Sequence, residues 1–93
     1  MYKLRYAKKF EKSVRKLPDE MKKVLAKQLV LLEQDPYHNS LYTKKNHFAS
    51  NSLKETIFES RINQNYRILW KHEDGKVILL LVAGNHKLVE GKK

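Results

Sequence analysis

The second half of the chain has two apolar runs on either side of a turn signal. Residues 66–71 and 77–82 are rich in β-branched and aromatic side chains, and Asp74-Gly75 between them suits a turn with positive φ at both central residues. A third strand-like run, residues 53–62, precedes them across a short connection that contains two asparagines. The pattern predicts a three-stranded antiparallel meander whose wholly apolar last strand is central.

The first half of the chain predicts one strand and two helices. Alternating apolar side chains over residues 2–6 predict an edge strand. Phe10, Val14 and Leu17 then recur at helical spacing in a basic segment that ends before Pro18. A second helix starts at Pro18 or Asp19 and ends near residues 35–36, because the residue before a proline avoids helical backbone.

The predicted order is strand, helix, helix, strand, strand, strand. Because a bare sheet cannot bury its apolar face, both helices are expected to pack on one side of it. We therefore predict a single α+β domain over residues 1–93, in which a two-helix hairpin covers one face of an antiparallel sheet and the other face is only partly covered. Residues 37–51 have no clear period and are expected to form a long loop, which is often a functional segment.

The net charge of +10 is concentrated at the front of the chain. Residues 1–27 carry ten Lys or Arg against three carboxylates, whereas residues 28–52 are balanced. Such an excess favours a polyanion or an acidic partner protein, because released counterions or neutralised carboxylates drive association. A lysine-rich helix face that serves only solubility explains the N-terminal lysines equally well.

Composition also restricts the compartment and the cofactors. The chain contains no cysteine, which excludes disulfides and thiolate metal sites and fits a reducing cytosol. No apolar run approaches the roughly 18 residues of a membrane span, and the first residues lack the apolar core of a signal peptide. The histidines are far apart in sequence, without ligand spacing. We expect a cytoplasmic protein that needs no metal, no cofactor and no membrane.

Two arginines are candidates for binding a phosphate. Arg61 and Arg67 lie on neighbouring predicted strands, and a guanidinium can bind a phosphate through two parallel hydrogen bonds. The alternative is a structural ion pair across strands with Glu55 or Glu59. The residue pattern alone favours the structural alternative.

Two histidines are candidates for proton transfer. His47 follows Lys44 and Lys45, and His86 follows the central strand. Histidine can act as acid or base near pH 7, although a lone loop histidine is more often simply solvated. Two histidines and two arginines suffice for RNA cleavage without a metal, but their spacing does not show that they meet.

Four stretches of the sequence together resemble one protein family. They are Tyr-Ala-Lys-Lys-Phe-Glu-Lys-Ser-Val-Arg-Lys-Leu-Pro, Leu-Leu-Glu-Gln-Asp-Pro, Arg-Ile-Asn-Gln-Asn-Tyr-Arg-Ile-Leu-Trp and Gly-Asn-His-Lys. In order and spacing they resemble the RelE/ParE toxin superfamily of bacterial toxin-antitoxin systems, over nearly the whole chain. The resemblance implies a compact toxin of one sheet and two helices. Such a toxin enters the ribosomal A site, cleaves mRNA and is held inactive by an antitoxin.

The resemblance also reaches individual positions. Residues 84–86 resemble the Gly-Xaa-His of the YafQ-like branch, and residues 45–47 resemble its Lys-Asp-His, and both motifs end in a catalytic histidine there. Residues 59–62 resemble the Glu-Xaa-His-Ile of that branch, with arginine in place of histidine. Arg67 resembles the strand arginine of the RelE and YoeB branches, which contacts the scissile phosphate. Glu90 stands where many of these toxins have a terminal aromatic that stacks on an mRNA base.

The first hypothesis is therefore a ribosome-dependent mRNA endoribonuclease. Its histidines would serve as general base and general acid, in either order, and its arginines would bind the phosphate and stabilise the transition state. The catalytic candidates are His47, Arg61, Arg67 and His86, and the candidates for holding the RNA backbone are Lys44, Lys45 and Lys87.

Two other functions fit the same predicted fold. One is a ParE-like poison of DNA gyrase that acts by binding alone, and the other is a degenerate relative that only binds an antitoxin and DNA. The histidines favour cleavage, because a pure binder needs no titrating group at a phosphate site. The expected partners are an antitoxin with an acidic, amphipathic segment, the 70S ribosome and mRNA, with operator DNA bound only by the toxin-antitoxin complex.

Overall fold

The computed structural model describes residues 1–85 and 87. In this range the chain forms five strands, three α-helices and one 3-10 turn. In chain order they are β1 (Lys3–Tyr6), α1 (Lys8–Arg15), α2 (Asp19–Gln34), the 3-10 turn (Asn39–Leu41), β2 (Lys44–Lys45), α3 (His47–Leu53), β3 (Phe58–Arg61), β4 (Tyr66–Glu73) and β5 (Val77–Asn85). None of the described helices combines the length and apolar character that crossing a membrane requires.

The strands form one sheet in the order β1-β5-β4-β3-β2. The predicted meander is present as β3, β4 and β5, and β5 is interior to the sheet. The predicted α+β class is confirmed, but the sheet is mixed because β1 pairs parallel to β5, with Leu4 opposite Ile78. Alternating side chains in the sequence of β1 predict a strand and its two faces. They do not predict whether the neighbouring strand is parallel, because that depends on the path of the chain through the two helices.

The turn between β4 and β5 differs from the predicted one. Glu73 pairs with Val77, which leaves three residues in the loop. Only Gly75, at φ 69°, has a left-handed backbone there, and Asp74 does not. A three-residue hairpin loop requires one left-handed position, which glycine occupies without steric cost.

The main core lies between the sheet and the two long helices, as predicted. Phe10 belongs to α1, Leu17 follows its C-terminal end, and Leu25 and Leu32 belong to α2. All four side chains are buried against apolar side chains of the strands. The strand residues are Ile68, Trp70, Ile78, Leu80 and Ala83, and Ile62, directly after β3, belongs to the same cluster. The 3.6-residue period of the helices therefore has the same apolar stripe in the sequence and in the structure.

A third helix covers part of the opposite face of the sheet. The predicted strand over residues 53–62 is wrong at its start, because residues 47–53 form α3 and only Phe58–Arg61 is β3. The helix begins where the Asn46 side chain accepts a hydrogen bond from the Ala49 N–H (2.8 Å), and it ends at Lys54, which has a φ of 56°. Ala49 then packs with Ile57 and Leu69. Residues 37–51 are thus partly helical and not simply a loop.

A chain of hydrogen bonds ties this middle segment to the sheet. The Trp70 indole N–H donates to the Ser60 hydroxyl oxygen (2.8 Å), and the Thr43 hydroxyl donates to the Pro36 carbonyl (2.6 Å). The Ser60 and Thr43 hydroxyl oxygens are 2.7 Å apart, and because the Thr43 proton is already used, Ser60 is the donor between them. Every donor in this chain is therefore satisfied.

Removing the Ser60 hydroxyl, which is in the middle of this series of hydrogen bonds, should destabilise the protein measurably. Ser60 is fully buried, so Ser60→Ala leaves the Trp70 N–H without an acceptor and should cost about 1–3 kcal/mol of the free energy of unfolding. Urea unfolding followed by the fluorescence of the single tryptophan measures this cost. Ser52→Ala, at an exposed position, is the control. An equal effect of the two substitutions would contradict this interpretation.

Candidate active site

The two predicted arginines lie directly opposite each other at one end of β3 and β4. Arg61 and Arg67 are cross-strand partners in the register of these strands. They line an open pocket of about 300 Å³, hereafter the arginine pocket. Its lining residues are Tyr42, Thr43, Lys44, Glu59, Arg61 and Arg67. Because like charges directly opposite on a sheet are destabilising, each guanidinium is expected to need a compensating neighbour.

Arg67 is compensated by a structural ion pair. Its Nε lies 3.5 Å from Glu59 Oε2, and the exposed fractions of the two side chains are only 12% and 5%. Its Nη1 donates to the carbonyl oxygens of Asn63 (2.7 Å), Gln64 (2.8 Å) and Tyr66 (3.1 Å). The cross-strand pairing considered for this arginine is therefore present. Its Nη1 holds the β3–β4 turn, and its Nη2 makes no hydrogen bond among the described residues.

Arg61 has a different environment. Its Cζ lies 4.1 Å from the centroid of the Tyr42 ring, which compensates the charge by a cation–π interaction. Within residues 1–85 and 87, no carboxylate pairs with this side chain and no acceptor receives its N–H groups. Of the two arginines, Arg61 is thus the one whose guanidinium fork is available to a phosphate in the pocket.

Glu59 connects the arginine pocket to the beginning of α3. This buried carboxylate, 3% exposed, accepts a hydrogen bond from the Asn46 amide at 3.0 Å through Oε1, while Oε2 faces Arg67. Asn46 is the N-cap of α3, the helix that begins at His47. The sequence predicts Glu59 as a possible ion-pair partner of an arginine and as the first residue of the stretch that resembles Glu-Xaa-His-Ile, but not its contact with Asn46. The contact between Asn46 and Glu59 cannot be read from the sequence, because the two residues are 13 positions apart.

His47 lies in a second pocket that adjoins the first. This pocket, hereafter the histidine pocket, has a volume of about 170 Å³. Its lining residues are Lys44, Lys45, Asn46, His47, Phe48 and Glu59. Lys44 and Glu59, which are cross-strand partners on β2 and β3, line both pockets. The structure thus places five of the seven predicted site residues along one surface, with Lys44 at its centre.

Of the two remaining predicted site residues, the structure describes only Lys87. His86 lies outside the described residues, as does Glu90. Lys87 is exposed, its backbone N–H donates to Asn85 Oδ1 (2.8 Å), and it lines neither pocket. The end of β5 nevertheless borders the site, since Gly84 pairs with Arg67.

An aromatic cluster at the other end of β4 is separate from both pockets. Trp70 stacks on Phe58, with ring centroids 4.9 Å apart, and the Tyr37 hydroxyl lies 2.9 Å from His72 Nε2. Burial, and to a smaller extent the nearby Tyr2, raises the pKa of Tyr37 above its ordinary value. Because the fully buried Trp70 is at its centre, this cluster serves packing. The described residues contain no group of three or more His, Asp or Glu side chains that could hold a metal.

Comparison with known proteins identifies the fold. No protein-family model and no curated protein matches the sequence. Among solved structures, the chain is similar to the archaeal RelE of the RelE-RelB complex from Pyrococcus horikoshii OT3, with a TM-score of 0.72 and 18% identity, covering 99% of this chain and 98% of that one. YafQ from E. coli strain BL21(DE3) gives a TM-score of 0.73 at 14% identity, covering 96% and 98% of the two chains.

A chain from the toxin-antitoxin complex RelBE2 of Mycobacterium tuberculosis is also similar. Its TM-score is 0.67 at 17% identity, and the match covers 90% of this chain and 96% of that one. At these identities the similarity establishes a shared fold, and the activity has to be argued from the site itself.

Proposed function

We propose that this protein, which has the RelE-like toxin fold, is the toxin of a toxin-antitoxin pair and an endoribonuclease that cleaves mRNA on the ribosome, in the cytoplasm. The observation that supports this most directly is the junction of the two pockets at Lys44 and Glu59. It brings a phosphate-binding guanidinium, Arg61, and a histidine, His47, onto one open surface.

The reaction proposed for this surface cleaves the RNA chain by transferring a phosphate from its 5′-oxygen to the neighbouring ribose 2′-oxygen. The ribose 2′-oxygen forms a bond to phosphorus while its proton passes to a base, and the P–O5′ bond breaks while an acid protonates the leaving oxygen. Arg61 stabilises the charge that accumulates on the phosphorus oxygens, and Lys44 and Lys45 hold the RNA backbone. His47 takes one proton-transfer role. The other falls to His86, outside the described residues, as proposed from the resemblance.

Primer extension on mRNA after brief induction tests this function. We expect new 5′ ends at fixed positions within reading frames, together with arrest of translation before any DNA damage. DNA damage and filamentation as the first events, with intact mRNA, would instead indicate a gyrase poison. Expression without harm to the cell and without cuts would leave only an antitoxin-binding protein.

An apolar surface with a basic rim supports an antitoxin as partner. A pocket of about 420 Å³ lies between α3 and β5, and a second of about 370 Å³ lies between α1 and β5. They share Lys9 and Val82, and the second is also lined by Lys12 and Lys16. Together they form a groove with apolar walls and lysines along one rim, which suits an acidic, amphipathic segment. Operator DNA is proposed to bind only to the toxin-antitoxin complex.

Reversing the charge of this rim should weaken binding of the antitoxin. The triple variant Lys9→Glu, Lys12→Glu, Lys16→Glu is expected to lower the affinity at least about 10-fold, with the larger loss at low salt. Calorimetric titration with the purified antitoxin measures it. Charge reversal at Lys22, Lys23 and Lys27 of α2 changes the net charge equally and is the control. If both triple variants lose the same affinity, net charge and not the groove determines binding.

A further inference from the structure

Tyr42 presents an aromatic ring to solvent at the mouth of the arginine pocket. It follows the 3-10 turn and is held in a left-handed conformation, φ 48° and ψ 44°, that is rare for a residue with a bulky side chain. Its neighbours impose this conformation: Leu41 is fully buried, and the Thr43 hydroxyl is bonded to Pro36 and Ser60. Strained backbone of this kind persists where surrounding contacts enforce it, often at functional sites.

The ring is left open although a charged group lies against it. Tyr42 is 63% exposed, more than the other exposed aromatic residues of the described part of the chain, Phe48, Tyr37 and Tyr6. The Arg61 guanidinium lies over the ring, with its Cζ 4.1 Å from the ring centroid, and covers only part of the ring. Tyr42 therefore has a flat apolar surface that nothing among the described residues buries.

A nucleotide has the two groups that this arrangement can bind. Its phosphate matches Arg61 and Lys44, which line the same pocket as Tyr42. Its base has a π-face, and bases stack on exposed aromatic side chains in proteins that bind single strands. Because the phosphate-binding groups and the ring share one small pocket, both contacts are available to a single nucleotide.

We propose that Tyr42 is a base-stacking subsite for single-stranded RNA, on which one base lies flat while its phosphate contacts Arg61. The inference rests on the proposed function for the identity of the ligand, RNA. It adds the side chain on which a base stacks. It gives the arginine pocket a stacking aromatic from the middle of the chain.

Paired RNA oligonucleotides test the subsite without requiring cleavage. The probes are three-nucleotide RNAs that carry 2-aminopurine at one position in turn, and the same RNAs with an abasic site at that position. For one position, the wild-type protein should bind the base-containing RNA roughly 5- to 100-fold more tightly than its abasic counterpart. Stacking should also quench the 2-aminopurine fluorescence at that position.

Variants of Tyr42 assign the effect to its ring. Tyr42→Phe should keep the preference for the base, whereas Tyr42→Ala and Tyr42→Gly should reduce it to about 1, since neither offers a stacking surface. Glycine adopts φ 48° without strain, so Tyr42→Gly should keep the fold. Tyr6→Ala is the matched control, because Tyr6 is 51% exposed and lies on β1, at the sheet edge opposite β2.

The outcomes separate the subsite from the function on which it rests. A preference for the base that survives in Tyr42→Ala would overturn the stacking subsite and leave RNA binding intact. Equal binding of both probes by the wild type would do the same. A wild-type protein that binds neither probe at any position would overturn the subsite, whereas the proposed function is overturned separately, by the absence of cuts in the primer-extension test.

Discussion

Arg61→Ala is expected to slow mRNA cleavage by about 10²- to 10³-fold, the usual loss when one group that stabilises transition-state charge is removed. The stability of the fold should change by less than about 1 kcal/mol, because the only side-chain interaction lost within the described residues is the cation–π contact with Tyr42. Single-turnover cleavage on programmed ribosomes measures the rate, and thermal unfolding measures the stability.

Two further variants sharpen this result. Arg61→Lys keeps the charge but not the planar fork, so it should restore only part of the rate. Arg5→Ala is the control, since Arg5 pairs with Glu73 at the far edge of the sheet. Full activity of Arg61→Ala would show that the arginine pocket is not where the phosphate reacts. Arg67→Ala is a less clean probe, because Arg67 also holds the β3–β4 turn.

Glu59→Ala is expected to lower the free energy of unfolding by about 2–4 kcal/mol, a large share of the ~5–15 kcal/mol typical of a small domain. The substitution leaves the largely buried Arg67 guanidinium without its carboxylate and removes one acceptor, at 3.0 Å, of the Asn46 amide. Urea unfolding with tryptophan fluorescence measures the loss. Glu59→Gln should cost less, because its amide oxygen still accepts the Asn46 bond although it carries no charge.

Glu55→Ala is the matched control for this prediction. Glu55 and Lys71 form an ion pair at 2.8 Å, shorter than the 3.5 Å between Glu59 and Arg67. Distance alone would therefore rank the Glu55 pair as the stronger. Glu55 is 49% exposed, so water screens its pair, and we expect a cost below about 1 kcal/mol. Equal costs for the two substitutions would refute the role of Glu59 as the link between the arginine pocket and α3.

The parts of the fold that the sequence predicts well are those with a long periodic signal. The stripe of Phe10, Val14 and Leu17 predicts α1, and the apolar run that starts at Val77 predicts the interior strand β5. The seven-residue α3 has only one local signal, the Asn46 cap, and too few turns to show a period. The sequence therefore predicts a loop for part of this segment and a strand for the rest.

At the candidate site too, the sequence predicts one part and the structure decides the other. Residue types and resemblance select Arg61, Arg67, His47 and the lysines of β2, but they assign equal roles to the two arginines. Their difference depends on neighbours that are distant in sequence or unremarkable in composition. Glu59 and the turn carbonyls occupy Arg67, whereas Tyr42 leaves the donors of Arg61 available.

The sequence by itself determines the first strand, the two helices after it and the final three-stranded meander. It also determines the basic character and the kinds of side chain at the site, because local spacing and composition are enough for these. Only the tertiary structure decides that β1 runs parallel to β5, that α3 covers part of the second face, and that Lys44 and Glu59 join two pockets. These features depend on contacts between residues far apart in the chain, and such contacts form only when burial of the whole core brings them together.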